Sequence, residues 1–347
     1  MKLLVRATNW VGDAVMSIPA LEAIRGRWPR AEIVILARPW VAELYRGQGY
    51  ADRVLVFDHA GRHRGMWGRR RLAGELRRER FDVAILLQNA FEAAWIAARA
   101  RIPVRIGYNR DGRGFLLTRA VDVPRPGELS VHEAYYYLEL LRRAGWIERL
   151  SAVERIVLRV DPAQRGRAEE TLCRAGARGG ALRVAVAPGA AFGTAKCWPA
   201  SRYATLADRL IADFGADVIL FGTAAERAEA EKISAAMRCR PVTLVGETPI
   251  GDLPGLLAAC HLFIGNDSGA MHLAAAVGLP VVAIFGPTNP AGTAPATPRL
   301  RLVQQPVSCS PCFLRRCPVD HRCMTRIAVD AVYEAARPWM TRSALSV

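Results

Sequence analysis

The feature that most restricts what this chain can fold into is a rhythm. A short unbroken apolar run is followed by a turn and then by a longer amphipathic stretch, again and again. KLLVRA (2–7), EIVILAR (32–38), RVLVFD (53–58) and FDVAILLQ (81–88) are such runs in the first half. They are continuous rather than alternating, which fits strands buried on both faces of a parallel sheet. Helical patterns separate them, beginning with AVMSIPALEAIRGRWP (14–29). Residues 150–180 break the rhythm with one strand-like piece, a helix and a glycine-rich gap. It then restarts with ALRVAVAPG, ADVILFGT, PVTLVGE, HLFIGND and PVVAIFGP, again with helical patterns between them. The economical reading is α/β, with two Rossmann-like domains in tandem. Their expected bounds are 1–165 and 166–325, with a C-terminal helix in 326–347.

A chain of 347 residues is long enough for two such cores. No apolar run approaches the roughly 20 residues of a membrane span, and the N-terminus lacks a signal-peptide pattern. The expectation is a cytoplasmic protein. The formal net charge is +16, with only three lysines (Lys2, Lys196, Lys232) among 48 basic residues. Such a balance suits an anionic partner. Zinc-finger and RNP-like patterns and interleaved aromatics are missing, so nucleic acid is not expected. Neither half carries G-x-G-x-x-G, which counts against a nicotinamide-dependent oxidoreductase, the rival reading from another class.

Four stretches carry chemistry. In FIGNDSGAMHLAAAVGLPVVAIFGP (263–287) a strand runs into a Gly-Asn-Asp-Ser-Gly turn and at once into a helix. Free N–H groups and the positive dipole end make that junction an anion site. Asn266, Asp267, Ser268, Gly269 and His272 are its candidates, although a merely capped helix gives the same pattern. In APGAAFGTAKCWP (187–199), Lys196 sits on a small-residue loop from which it could reach a phosphate, with Thr194 beside it. Glu226 follows the strand ADVILFGT, where a carboxylate can accept from ribose hydroxyls or help a helix dipole. In ATNWVGDAVMSIPAL (7–21), Asp13 stands before the first helix as either a cap or a base.

These stretches, from NWVGDAVMS through APGAAFGTAKCWP and the GTAAE turn to GNDSGAMHLAAAVGLPVVAIFGPTNP, resemble the bacterial ADP-heptose:lipopolysaccharide heptosyltransferases of glycosyltransferase family 9. The resemblance is nearest to the heptosyltransferase II group and spans almost the whole chain in the family's order. It implies a GT-B fold whose two domains face an interdomain cleft, an ADP-L-glycero-D-manno-heptose donor, and inversion at the anomeric carbon. The implied acceptor is the heptosyl-Kdo-lipid A inner core, with heptosyltransferase I- or III-like acceptors as alternatives. It also implies that Asp13 is the general base, that Lys196 and the 267–272 turn hold the diphosphate, and that Glu226 holds the nucleoside. The chain departs from the pattern of some relatives, which place threonines where it has Ala190, Ala191 and Phe192, and Thr194 is the substitute. No D-x-D pair exists to hold a divalent metal. Metal-free stabilisation by Lys196 and helix N–H groups is the consistent alternative, and no cofactor is expected beyond the donor.

Residues 61–80 hold eight arginines and two glutamates. With Arg105 they are expected to draw a phosphorylated, lipid-borne acceptor and the inner leaflet of the membrane, which would make the protein peripheral on the inner membrane. A solvated helix face is the plainer alternative. Asn89 and His132 are further acceptor-side candidates. CSPCFLRRCPVDHRC (309–323) contains Cys309, Cys312, Cys317 and Cys323. Its spacing leaves open a structural zinc, a reduced or disulfide-forming loop, and an iron–sulfur cluster.

Overall fold

The computed structural model describes residues 1–341. The chain divides into two compact units, Met1–Val153 and Glu154 onward.

Unit 1 contains β1 (Lys2–Arg6), β2 (Glu32–Ala37), β3 (Arg53–Val56), β4 (Val83–Leu86), β5 (Val104–Tyr108) and β6 (Arg119–Val121). They form one sheet in the order β3-β2-β1-β4-β5-β6, with every pair parallel. Leu3, Leu4 and Val5 of β1 and Val34 and Ile35 of β2 are buried on both faces, as their unbroken apolar runs require. Each such side chain removed from water stabilises the fold by roughly 1.5–3 kcal/mol. On one face, Leu4, Val34, Ala84 and Leu86 pack against Leu72 and Leu76 of helix Gly65–Glu79, and against Ala94 and Ala97 of helix Phe91–Arg99.

Unit 2 repeats the plan with β7 (Arg183–Ala187), β8 (Asp217–Leu220), β9 (Val242–Thr243), β10 (Leu262–Asn266), β11 (Val281–Phe285) and β12 (Leu300–Gln304). The order is β12-β11-β10-β7-β8-β9, again all parallel. In both units the chain starts in the middle of the sheet, winds to one edge, and returns to wind to the other. The reversals lie between β1 and β4 and between β7 and β10, and in such sheets ligands bind at the C-terminal strand ends beside the reversal.

The boundary differs from the expected 165/166. Ile156 donates to the Ala296 carbonyl and Leu158 to that of Ala276, so the segment after Val153 already belongs to unit 2. The terminal helix is not a separate element either. Val332, Tyr333 and Ala336 of helix Val329–Ala336 are part of the unit 2 core, packed with Tyr203, Ala207 and Leu210 of helix Ala200–Phe214. Residues 342–347 of that expected segment lie outside the described residues.

Candidate active site

At the unit 1 reversal, β1 ends in Arg6 and the short helix Val11–Met16 begins five residues later. Asp13 lies in its first turn, while the N-cap position belongs to Trp10, which makes no side-chain cap. Asn9 does not cap the helix; its Oδ1 accepts from Arg6 at 2.9 Å. Burial, then the nearby Arg38 charge, lowers the Arg6 pKa to about 10.

Helix Val11–Met16 packs on helix Glu133–Arg143. There Glu133 is raised to about 7, first by burial and then by the Asp13 charge, with Arg110 opposing. One turn on, the buried Tyr137 phenol is pushed well up by burial, then by Asp13 and Glu133. Asp13 therefore belongs to an acidic group in a partly desolvated place.

Asn89 follows β4, on the other side of the reversal. Its Nδ2 donates to the Tyr136 hydroxyl at 2.9 Å and its Oδ1 accepts from Arg113 at 3.1 Å. Arg113 is fully buried and also donates to the Tyr108 and Gln88 carbonyls, and the Tyr108 and Tyr136 rings lie 4.5 Å apart. His132 is the N-cap of helix Glu133–Arg143, its Nδ1 accepting from the Ala134 N–H at 3.2 Å. Both residues thus have structural partners on the site side of the sheet. Arg105 does not join them. It stands near the start of β5, at the opposite end of the strand, and donates to the Leu116 and Ile102 carbonyls at 2.7 and 2.6 Å. The first of these bonds ties down the connection from β5 to β6 and the second the segment before β5, so the structure does not bring Arg105 together with Asn89 and His132.

At the unit 2 reversal the chemistry changes sign. Lys196, on the turn after β7, meets Asp267, just after β10, with Nζ 2.6 Å from Oδ2 and both side chains largely buried. The same oxygen accepts from Thr288 at 2.7 Å. The Lys196 ammonium lies 4.9 Å from the centre of the Phe192 ring, and the Arg315 guanidinium 5.3 Å from it. Both cations thus lie against the one phenyl ring. Ser268 is the N-cap of helix Gly269–Ala276, makes no side-chain cap, and has a buried Oγ with no partner among the described residues. A buried hydroxyl without a partner is costly and suits a ligand that would supply one. It directly follows Asp267, the partner of Lys196, and opens a helix whose first-turn N–H groups have no intrahelical acceptor.

Asn266 does something else. It is fully buried; its Oδ1 accepts from the Trp198 N–H and the Tyr203 hydroxyl, and its Nδ2 donates to the Pro188 carbonyl. It pins the turn after β7 to the end of β10 and thereby positions Lys196. Glu226 forms a capping box with Thr223, accepting from its N–H at 2.6 Å and its hydroxyl at 2.8 Å. The local alternative therefore holds for one oxygen. The other is pressed toward Gly189, where an added Cβ would lie 1.7 Å from Oε1. Thr194 is exposed on the Lys196 turn, and His272 is buried within helix Gly269–Ala276.

The cysteine segment braces this corner. Ala195 donates to the Arg315 carbonyl at 3.1 Å, His321 Nε2 lies 2.6 Å from the Ala195 carbonyl, and Cys312 and Phe313 donate to Pro287. Gly193 must be glycine because a Cβ there would lie 2.2 Å from the Arg315 oxygen. Cys309, Cys312, Cys317 and Cys323 are free thiols. Burial, then the three neighbouring cysteines, raises the Cys323 pKa. No three His, Cys, Asp or Glu groups among the described residues converge as a metal-ligand set, so the four thiols are not arranged here as the zinc or cluster site that their spacing leaves open.

The sequence matches glycosyltransferase family 9 (heptosyltransferase) over residues 69–322. It is 32% identical over 312 residues to lipopolysaccharide heptosyltransferase 2 of Salmonella typhimurium, covering 88% of each chain. It is 31% identical to lipooligosaccharide heptosyltransferase 2 of Haemophilus influenzae, again over 88% of each. The fold is similar to that of E. coli ADP-heptose LPS heptosyltransferase II, with a TM-score of 0.82, 29% identity and 98% of each chain covered.

Proposed function

The chain belongs to glycosyltransferase family 9, the heptosyltransferases, and we propose that its two sheet reversals supply the two halves of one inverting sugar transfer. It is a glycosyltransferase that moves heptose from ADP-heptose to the inner core of lipopolysaccharide. The donor is ADP-L-glycero-D-manno-heptose and the acceptor the heptosyl-Kdo-lipid A core. The nicotinamide-dependent reading falls with the family.

The chemistry divides by sign. An acceptor hydroxyl attacks the anomeric carbon on the face opposite the diphosphate. Asp13 takes the hydroxyl proton as the new C–O bond forms. The bond from the anomeric carbon to the diphosphate oxygen breaks, and that oxygen keeps the electron pair. Lys196, the Ser268 hydroxyl and the N-terminus of helix Gly269–Ala276 neutralise the charge that develops there. Asp267 holds the ammonium in place before the donor arrives, and the free oxygen of Glu226 is assigned to the nucleoside. We assign charge neutralisation to these groups rather than to a divalent ion. The acceptor is lipid-borne, so the reaction is placed at the cytoplasmic face of the inner membrane. Among the described residues no helix is long and apolar enough to cross it.

The observation that carries the reading is the Lys196–Asp267 pair beside an unpartnered buried serine at a helix N-terminus. The test is transfer from ADP-heptose to defined Kdo-lipid A acceptors bearing zero, one or two heptoses, with and without EDTA. Preference for the one-heptose acceptor and turnover undiminished by EDTA are expected. Preference for another acceptor would move the chain to a different heptosyltransferase group. Loss of turnover on chelation would overturn the metal-free assignment.

A further inference from the structure

The charges at the unit 2 reversal fall short of the task assigned to them. The Lys196 ammonium is already matched by the Asp267 carboxylate at 2.6 Å, so the pair taken together is close to neutral. A sugar-linked diphosphate carries a negative charge on each phosphoryl group, and the diphosphate that leaves carries one more. The N-terminus of helix Gly269–Ala276 contributes roughly half a positive charge. A further cation is needed, and it has to be one that no carboxylate has already engaged.

Arg315 meets that requirement. Its guanidinium lies 5.3 Å from the centre of the Phe192 ring, and the Lys196 ammonium lies 4.9 Å from the same centre. The ring thus brings two like charges into one neighbourhood. Arg315 is exposed, and among the described residues no carboxylate pairs with it. The one acidic residue of segment 309–323, Asp320, is bonded to Arg322. Two cations near a single carboxylate repel each other and draw in an anion. The main chain fixes the position of Arg315. The Ala195 N–H, immediately before Lys196, donates to the Arg315 carbonyl at 3.1 Å, and Gly193 leaves room for that oxygen. Cys312 and Phe313 donate to the Pro287 carbonyl at 3.0 and 2.8 Å, which ties the same segment to the turn after β11. Backbone bonds therefore hold residue 315 against the Lys196 turn and leave its side chain available.

We propose that Arg315 is a second cation of the donor site, which bonds the diphosphate of the ADP-sugar and stabilises the charge that develops on it as it leaves. This rests on the reading that the corner holds a nucleoside diphosphate sugar, and it gives the cysteine segment a part in that site, the delivery of a guanidinium. Ala190, Ala191 and Phe192 offer no side-chain donor to a phosphate. A guanidinium supplies a planar pair of N–H groups that matches two phosphate oxygens.

The test is calorimetric titration of the full chain with ADP, followed by steady-state transfer from ADP-heptose. Arg315→Gln keeps the carbonyl that accepts from Ala195, so it removes the charge and leaves the brace. It should weaken ADP binding about tenfold and lower turnover at saturating donor, with the thermal midpoint of the unliganded chain near wild type. Arg315→Lys should recover part of the loss. Arg316→Gln removes the same charge one residue away, at another exposed position, and should leave ADP binding unchanged. Wild-type ADP affinity in Arg315→Gln overturns the proposal. So does an equal loss in Arg316→Gln, which would make the effect one of net charge. A fall in the unliganded midpoint of Arg315→Gln with no recovery of ADP binding in Arg315→Lys also overturns it, because the arginine would then be structural. A wild type that binds no ADP defeats the heptosyltransferase reading and the proposal with it. ADP binding and transfer that survive Arg315→Gln unchanged defeat the proposal alone.

Discussion

The two sheet reversals have the same topology and opposite chemistry. In unit 1 the connections after β1 and β4, with the helix packed on them, bring Asp13 and Glu133 near each other, and the like charges disfavour joint ionisation. In unit 2 the connections after β7 and β10 bring Lys196 to Asp267 beside a helix N-terminus, with Arg315 also near the Phe192 ring. Strand order fixes where a ligand can bind but not its charge. A group that must accept a proton gains from a neighbouring carboxylate, whereas a group that must receive a leaving anion gains from cations and backbone dipoles. The proposed division of roles thus lies in the side chains of two units with the same strand order.

The harshest way to break this comparison is to neutralise the acidic reversal. Asp13→Asn keeps the shape of the helix turn and removes the carboxylate proposed as the base. Turnover should fall by about a thousandfold, while ADP-heptose binding, measured calorimetrically, should stay near wild type. Near-normal turnover in this variant would leave unit 1 without its assigned role.

The second change acts on the cationic reversal. Lys196→Met removes the ammonium and leaves Asp267 with only the Thr288 hydroxyl of its two side-chain partners, so donor binding and turnover should both weaken, turnover by about a hundredfold. Lys196→Arg should recover only part of the loss, because a planar guanidinium does not reproduce a point charge held between a carboxylate and a phenyl ring. A variant with full activity in steady-state assays would show that helix N–H groups alone suffice.

How much of this could be read from the sequence depends on whether a residue's role is set locally. β1, β2, β4, β7, β10 and β11 are legible because strands buried on both faces must be unbroken apolar runs. β5, β6 and β12 are not, because arginine interrupts them and they lie toward the sheet edges, where exposed side chains are tolerated. The unit boundary is misplaced because residues 154–158 join unit 2 through backbone hydrogen bonds, which leave no side-chain signature. Asp13, Lys196 and the turn from Asn266 to His272 stand out as candidates in the sequence because each lies at or in the connection that leaves the end of a strand. The positioning role of Asn266 and the engagement of Arg105 away from the site depend on partners distant in sequence. Glu133 stands next to His132 in the sequence with nothing to mark it, and only the packing of its helix on helix Val11–Met16 brings it to Asp13.

Glu133 gives the finest test of the acidic reversal, and its effect is the smallest. Its folded pKa of about 7 lies above the ordinary glutamate value of 4.5. The folded chain therefore binds this proton more tightly than the unfolded chain does. The associated stability is fully present below about pH 4.5 and is lost as the pH rises through about 7. The shift corresponds to on the order of 2–3 kcal/mol, or several degrees in thermal midpoint between pH 5 and pH 8. Glu133→Gln mimics the protonated form and cannot ionise, so its midpoint should vary less across that window and exceed that of wild type at the alkaline end. Asp13→Asn should give an intermediate slope, because it removes the charge contribution to the shift and leaves the burial contribution. A Glu133→Gln midpoint that varies with pH as steeply as wild type would mean that this carboxyl ionises freely. The two reversals would then differ by the single charge of Asp13 rather than by a coupled acidic pair.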